Sequence, residues 1–142
     1  MAISILIDSG ASDSVAPPEM FPGVPLIQTN LSMGGLHYTA AGGDKIRNLG
    51  MVRPIVYTHA DGAKHMMSFQ VAGVQKALGA VSKIVGAGHR VIFDDEATGS
   101  YIENKRSGHK TKLRQTNGVY FLDVWMKPGE HVPIQGFPRQ GP

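Results

Sequence analysis

The chain contains no cysteine, and this absence removes several kinds of protein at once. None of its 142 residues can form a disulfide or supply the thiolate ligands of a cysteine-based zinc or iron–sulfur site. Aromatic residues are also few, at 7% of the chain with a single tryptophan. A cysteine-free chain fits a reducing compartment, so we expect an intracellular protein.

Long apolar runs and strong net charge are missing too. No stretch approaches the roughly 20 apolar residues that a membrane helix requires, and Met1–Ile5 lacks the basic start of a signal peptide. The formal charge of +3 permits an acidic partner but does not imply one. With 42% hydrophobic residues, the sequence predicts one modest domain and no membrane partner.

Glycine and proline are abundant, with 18 and 9 residues, which favours short strands joined by turns. We expect a hairpin of His37–Ala41 and Lys45–Leu49, and a second one of Val52–Tyr57 and Met67–Val74 around an Asp-Gly turn. Three prolines in Val15–Pro22 predict a surface loop. The other expected strands are Ile3–Ile7, Arg90–Phe93, Ser100–Glu103, Thr111–Arg114 and Val119–Trp125.

One short helix is predicted after Leu78, where apolar residues recur at helical spacing up to Val85. Gly88 stands where a glycine commonly follows a helix end. The expected architecture is therefore mainly β with one short helix. We place a domain over residues 1–125, with a core of about 1–93 and C-terminal strands over 94–125. Residues 126–142 are rich in proline and glycine, which predicts a disordered tail or linker.

The candidate for chemistry is Asp8, which follows an apolar strand and precedes Ser9-Gly10-Ala11-Ser12. A carboxylate there lies on a tight turn at the edge of the core, near backbone amides. Asp-Ser-Gly alone is common and most often marks an ordinary turn. Two later features add weight: the glycine-tipped hairpin around Gly42-Gly43, and Ala77-Leu78-Gly79 directly before the helix.

In this order, the elements resemble the retropepsins, and the copia-type retrotransposon branch more closely. That branch has stretches similar to Asp8–Ser12, Ala77–Lys83, Gly88–Phe93 and Asn117–Asp123 in the same succession. The resemblance covers roughly Ile3 to Trp125. It implies an acid-protease fold with a strand-rich C-terminal extension, and an aspartic endopeptidase that processes a retroelement polyprotein in the cytoplasm or in a retroelement particle.

The resemblance also implies half an active site per chain, because no second Asp-Ser-Gly or Asp-Thr-Gly occurs. A homodimer would bring two Asp8 carboxylates together, with no metal and no cofactor. Ser9 would hydrogen-bond across the dimer, Gly10 would let the backbone approach the carboxylates, and Ala11 and Ser12 would complete the turn. The flap over an extended peptide substrate would comprise Ala40, Ala41, Gly42, Gly43 and Asp44.

The sequence departs from retroviral relatives in having only seven residues before Asp8, where those relatives have a longer segment that contributes to the dimer sheet. Either strands are missing, or the strands after Gly88 replace them. We favour replacement, with Val119–Trp125 as a dimer strand or a sheet-completing strand.

Two other functions remain open. The first is a catalytically weak module that keeps the fold for dimerisation or peptide binding. The second is nucleic-acid binding through the basic cluster Lys105–Arg114, which is less favoured because only Tyr101 lies near enough in sequence to stack on bases. The six histidines show no zinc-ligand spacing and are expected at the surface.

Overall fold

A computed structural model describes residues 1–39 and 42–133, and this part of the chain is mainly β. It contains two short helices, α1 (Asn30–Met33) and α2 (Val81–Gly86). Its strands are β1 (Ala2–Asp8), β2 (Val15–Ala16), β3 (His37–Thr39), β4 (Lys45–Val52), β5 (Ile55–Thr58), β6 (Lys64–Met66), β7 (Phe69–Ala72), β8 (Leu78–Ala80), β9 (His89–Ile92), β10 (Tyr101–Asn104), β11 (Lys110–Lys112), β12 (Arg114–Thr116) and β13 (Val119–Trp125).

The strands form one large and one small sheet. In the large sheet the order is β3-β4-β7-β2-β8-β1-β13-β5-β6, and β12 pairs with β13 beside β5. The small sheet has the order β11-β10-β9. The strand-rich segment after residue 93 is therefore divided, with β10 and β11 in the small sheet and β12 and β13 in the large one.

Strand β1 lies in the middle of the large sheet because its alternating isoleucines bury one face. Ile3, Ile5 and Ile7 are all buried, and Ile5 is completely so. On one side β1 pairs with β13 in antiparallel register from Ala2 to Ile7, and on the other it pairs with β8 in parallel. Strands β5 and β12 pair with the edge of β13 that faces away from β1. Of the two predicted roles for β13, completing the sheet is confirmed.

The sequence predicts one short helix, α2, but the described residues also contain a second one, α1. Thr29 begins α1 with a capping box, in which its hydroxyl accepts from the Ser32 amide and the Ser32 hydroxyl accepts from the Thr29 amide. Only four residues follow that start, too few for an apolar periodicity to be visible in the sequence.

Two further predictions need correction. The Asp-Gly hairpin is present, but β5 pairs with β6, whereas β7 pairs with β4 and β2. The expected surface loop Val15–Pro22 is partly core: Val15 and Ala16 form β2 between β7 and β8, and the buried Phe21 packs its ring against that of Phe69 at a tilt of 32°. Two apolar residues are enough for a short buried strand when neighbours on both sides supply the hydrogen bonds.

Packing continues past the predicted boundary at residue 125. Met126 is fully buried, and its amide donates to the Met1 carbonyl. Further along, the Ile55 amide donates to the Glu130 carbonyl, and His131 forms a bridge with Pro54. The remainder of the predicted tail, residues 134–142, lies outside the described residues.

Among residues 1–39 and 42–133, neither helix has the length or the apolar character needed to cross a bilayer.

Candidate functional site

Asp8 ends β1 and begins a tight turn, as the sequence predicts. Asp8 as a residue is half-buried, and its exposed Oδ1 accepts a hydrogen bond of 2.8 Å from the Gly10 amide. Ser9 and Ser12 are exposed beside it, and Ala11 is half-buried. The turn therefore holds the carboxylate by a hydrogen bond from its own backbone.

Gly10 is not required by packing within one chain. A Cβ placed there would lie 3.4 Å from Asp8 Oδ1, which is ordinary van der Waals contact. Its φ is also outside the left-handed region that favours glycine. Any close approach that demands glycine at this position must therefore come from outside the protomer.

The predicted element Ala77-Leu78-Gly79 lies directly beside Asp8. The Leu6 amide donates to the Ala77 carbonyl, and Gly79 lies opposite Ile7 in the β1–β8 pairing. A Cβ on Gly79 would meet Ile7 Cδ1 at 3.1 Å and Ile5 Cγ2 at 3.2 Å. Because the isoleucines fill this space, Gly79 lets β8 pack closely against the strand that carries the carboxylate.

Ser14 is a supporting residue that the sequence did not reveal. It is buried, and its Oγ accepts a 3.0 Å hydrogen bond from the amide of Ala80, the residue that pairs with Asp8. Nearby, Lys83 of α2 and Asp13 form an ion pair at 3.6 Å. These two contacts hold the segment that follows the Asp8 turn against β8 and α2. Only the position of Ser14, shortly after the turn, could have suggested it.

The glycine-tipped hairpin is present as β3 and β4, with Thr39 opposite Lys45. Gly42, Gly43 and Asp44 are exposed at its end, and Gly43 has a φ of 88°. The other two predicted flap residues, Ala40 and Ala41, lie outside the described residues.

A buried polar network joins the base of this hairpin to the Asp8 turn. Asn48 of β4 donates to Gln70 Oε1 at 2.9 Å and to the Tyr38 hydroxyl at 3.2 Å. The Gln70 amide in turn donates to the Ser14 carbonyl at 2.8 Å. Burial raises the pKa of the Tyr38 phenol, and the neighbouring Asp13 carboxylate raises it further. The hairpin and the turn are therefore neighbours in space.

The other candidate features are not gathered at Asp8. No group of three or more histidine, aspartate or glutamate side chains within the described ranges could hold a metal ion. In the basic cluster, Arg114 is paired with Asp123 through two hydrogen bonds of 2.7 and 3.0 Å. The expectation of surface histidines is wrong for three of the six, since His65, His89 and His131 are half-buried. His65 and His89 each also have a buried ring nitrogen.

Comparison with protein-family models, with curated proteins and with solved structures gives no match for this chain.

Proposed function

We propose that this chain is an aspartic endopeptidase of the retropepsin type, active as a homodimer in which each protomer supplies Asp8. The observation that carries the proposal is the placement of Asp8 at the end of a buried central strand, on a turn whose Gly10 amide bonds its carboxylate. The hairpin joined to this turn through Asn48 and Gln70 provides the cover that such a site needs.

The proposed chemistry requires two carboxylates, and one chain offers a single Asp-Ser-Gly turn. Two carboxylates about 3 Å apart cannot both ionise easily, so they share one proton. The ionised Asp8 takes a proton from a water molecule as that water attacks the peptide carbonyl carbon. The protonated Asp8 of the second copy donates its proton to the carbonyl oxygen, which gives a neutral tetrahedral diol. As the diol collapses, the first Asp8 gives the proton it took from water to the nitrogen, the C–N bond breaks, and the second Asp8 takes back a proton from one diol hydroxyl.

The substrate in this proposal is an extended peptide that lies between the hairpin and the paired Asp8 turns. An extended chain can hydrogen-bond through its backbone as an added strand, so the main chain gives affinity and the side chains give selectivity. By resemblance, the natural substrate is a retroelement polyprotein. Neither a metal nor a cofactor takes part.

The test is cleavage of a peptide library at mildly acid pH by the purified chain, with and without a statine-type inhibitor. We expect cleavage that the inhibitor blocks and that Asp8→Asn abolishes. Sedimentation of the Asp8→Asn protein should still show a dimer, since the substitution keeps the size of the side chain. Cleavage that survives in Asp8→Asn would refute the proposal.

The alternative is a module that keeps this fold for dimerisation or peptide binding without hydrolysis. It is favoured if the wild-type chain forms a dimer and binds peptides of the library but cleaves none of them at any pH between 4 and 7. The nucleic-acid alternative has less support, because Asp123 already neutralises Arg114 and Lys110 lies over the Tyr101 ring at 4.8 Å.

A further inference from the structure

A cavity of about 480 Å³ lies between the large and the small sheet, and three histidines line it. They come from separate parts of the fold: His65 from β6 of the large sheet, His89 from β9 of the small sheet, and His109 from the residues that lead into β11. The apolar part of the wall includes Ile102 and Leu122, which are buried core residues. The three imidazoles therefore meet at the seam where the two sheets face each other.

Two of these imidazoles have a buried nitrogen with no hydrogen-bond partner among residues 1–39 and 42–133, namely Nε2 of His65 and Nδ1 of His89. A neutral imidazole carries one N–H donor, whereas the protonated ring carries two. Protonation would therefore add a charged donor in a place with no protein acceptor. Leaving a charged group unsatisfied in this way costs more than leaving a neutral one.

The charges around His65 also oppose its protonation. Besides burial, the charges of His89 and His109 lower its pKa, and the carboxylate of Asp61 acts in the opposite direction. Asp61 is already engaged, since Oδ1 accepts from the Thr58 hydroxyl and the Ala63 amide, and Oδ2 lies 2.9 Å from His109 Nε2.

Two further charged residues line the cavity, Lys83 and Asp13, and they pair with each other at 3.6 Å. The Lys83–Asp13 pair and a protonated His109 beside Asp61 are each neutral overall. A positive charge on His65 or on His89 has no such partner in the described part of the chain. Among the described residues that line the cavity, Asp13 is therefore already paired, and none supplies a second carboxylate to balance a protonated His65.

We propose that His65 makes this a proton-responsive seam: the cavity that His65 lines with His89 and His109 holds the small sheet against the large one at neutral pH, and it loosens as His65 becomes protonated. The proposal stands apart from the proposed function, because it concerns how the two sheets are held together. If Asp8 also acts as proposed, the seam limits how far the pH can fall before α2, which carries Lys83 and follows β8, loses its support.

The direction of the pH effect follows from the burial of His65. Burial lowers the pKa of His65, and the positive charges of His89 and His109 lower it further, below the value of about 6.5 for a free histidine. Between that value and the lower folded pKa, the unfolded chain binds more protons than the folded one. Stability is therefore full above about pH 6.5 and falls as the pH decreases through this window.

The first experiment is urea unfolding of the whole chain at pH 7.5 and at pH 5.0, for the wild type, His65→Gln, His89→Gln and the control His37→Gln, whose histidine is exposed on β3. We expect the folding equilibrium constant of the wild type and of the control to fall when the pH is lowered. In His65→Gln this fall should be smaller than in the wild type, because glutamine has no proton to bind in this range. An equal fall in His65→Gln and in the wild type would overturn the proposal.

The second experiment uses only the wild-type protein, so its result does not depend on whether a histidine variant folds. Hydrogen exchange, corrected for the intrinsic effect of pH, should show that β9 to β11 lose protection at pH 5.0 while β1 keeps it. Histidine NMR titration should place His65 below about 6.5. Uniform loss of protection across both sheets, or a His65 midpoint at or above that value, would equally overturn the proposal.

Discussion

Asp8 lies directly opposite Ala80 in the parallel pairing of β1 with β8, and the Ala80 amide donates to Ser14 Oγ at 3.0 Å. The strand that carries the candidate carboxylate and the segment that follows its turn are thus fastened to the same residue of β8. None of these supporting groups titrates near neutral pH. The position of Asp8 therefore depends on packing, on backbone pairing with β8 and on the hydrogen bond to the Ser14 hydroxyl.

The first prediction concerns Ser14→Ala. Without the hydroxyl, the Ala80 amide loses its acceptor in a buried place, and we expect a loss of about 1–3 kcal/mol in the free energy of unfolding. Urea unfolding at pH 7 measures this loss. The matched control is Ser12→Ala, an exposed serine of the same turn, which should change stability by no more than about 0.5 kcal/mol. Equal effects of the two substitutions would show that the bond to Ala80 contributes nothing.

The second prediction compares two glycines that are only seven positions apart. Gly79→Ala places a methyl group 3.1 Å from Ile7 Cδ1 and 3.2 Å from Ile5 Cγ2, and such overpacking typically costs about 1–3 kcal/mol. In contrast, Gly86→Ala adds a methyl in open space at the end of α2, where alanine favours the helix by up to about 1 kcal/mol.

Thermal or urea unfolding measures the stability of both variants. Because both substitutions add one methyl group, a difference between them reflects the space around each glycine. Gly79→Ala should be less stable than the wild type, and Gly86→Ala should be equal or more stable. A Gly79→Ala protein with unchanged stability would mean that β8 can move away from β1 at no cost, which contradicts the tight packing behind Asp8.

The local features around Asp8 could be predicted from the sequence because they follow from periodicity and turn chemistry. Alternating isoleucines at 3, 5 and 7 gave β1 and its buried face. Asn117-Gly118 marked the β12–β13 turn, where both residues have positive φ, 51° and 79°. Gly79 was also singled out, although its reason, contact with Ile5 and Ile7, is visible only in the structure.

The non-local features could not be predicted in the same way. Nothing in Phe69–Ala72 indicates that it pairs with β4 and β2 instead of returning along β5, because that choice depends on segments distant in sequence. Asn48 and Ser14 are polar residues whose burial depends on partners that other strands bring to them. Asp8 was thus found from its motif, whereas the residues that support it required the fold.

The third prediction concerns pH and the ion pair between Arg114 and Asp123. Hydrogen bonding from Arg114, and then from Ser4, lowers the pKa of the Asp123 carboxyl. A lowered folded pKa means that this group stabilises the fold above its unfolded pKa of about 3.9, and that the contribution disappears as the pH falls through the folded value. Because the pair is partly exposed, we expect its contribution to be at most about 1 kcal/mol.

Asp123→Asn should therefore lower the free energy of unfolding at pH 7, and its difference from the wild type should shrink as the pH falls below the unfolded pKa of about 3.9. Asp44→Asn, which changes an exposed carboxylate at the end of the hairpin, is the matched control and should follow the wild-type pH curve. A difference that stays constant from pH 7 to pH 3 would mean that Asp123 acts through the shape of its side chain and not through its charge.

The fourth prediction separates the protomer from the proposed dimer by means of Gly10→Ala. Within one chain the added methyl finds ordinary contact, 3.4 Å from Asp8 Oδ1, and no left-handed φ opposes it. The free energy of unfolding of the protomer should stay the same or rise by about 0.4–1 kcal/mol, because alanine restricts the unfolded chain. In the proposed dimer, however, the Gly10 backbone approaches the paired carboxylates. A displacement there of about 1 Å should lower kcat/KM roughly 100-fold.

Gly86→Ala serves as the control for activity, since it adds the same methyl group in α2, away from the Asp8 turn. Unfolding at low protein concentration and peptide cleavage are measured on the same preparations. If Gly10→Ala folds normally and cleaves as fast as Gly86→Ala, the turns of two copies do not meet closely at residue 10. Hydrolysis would then need a different arrangement of carboxylates, because a single Asp8 has no second acid in its own turn with which to share a proton.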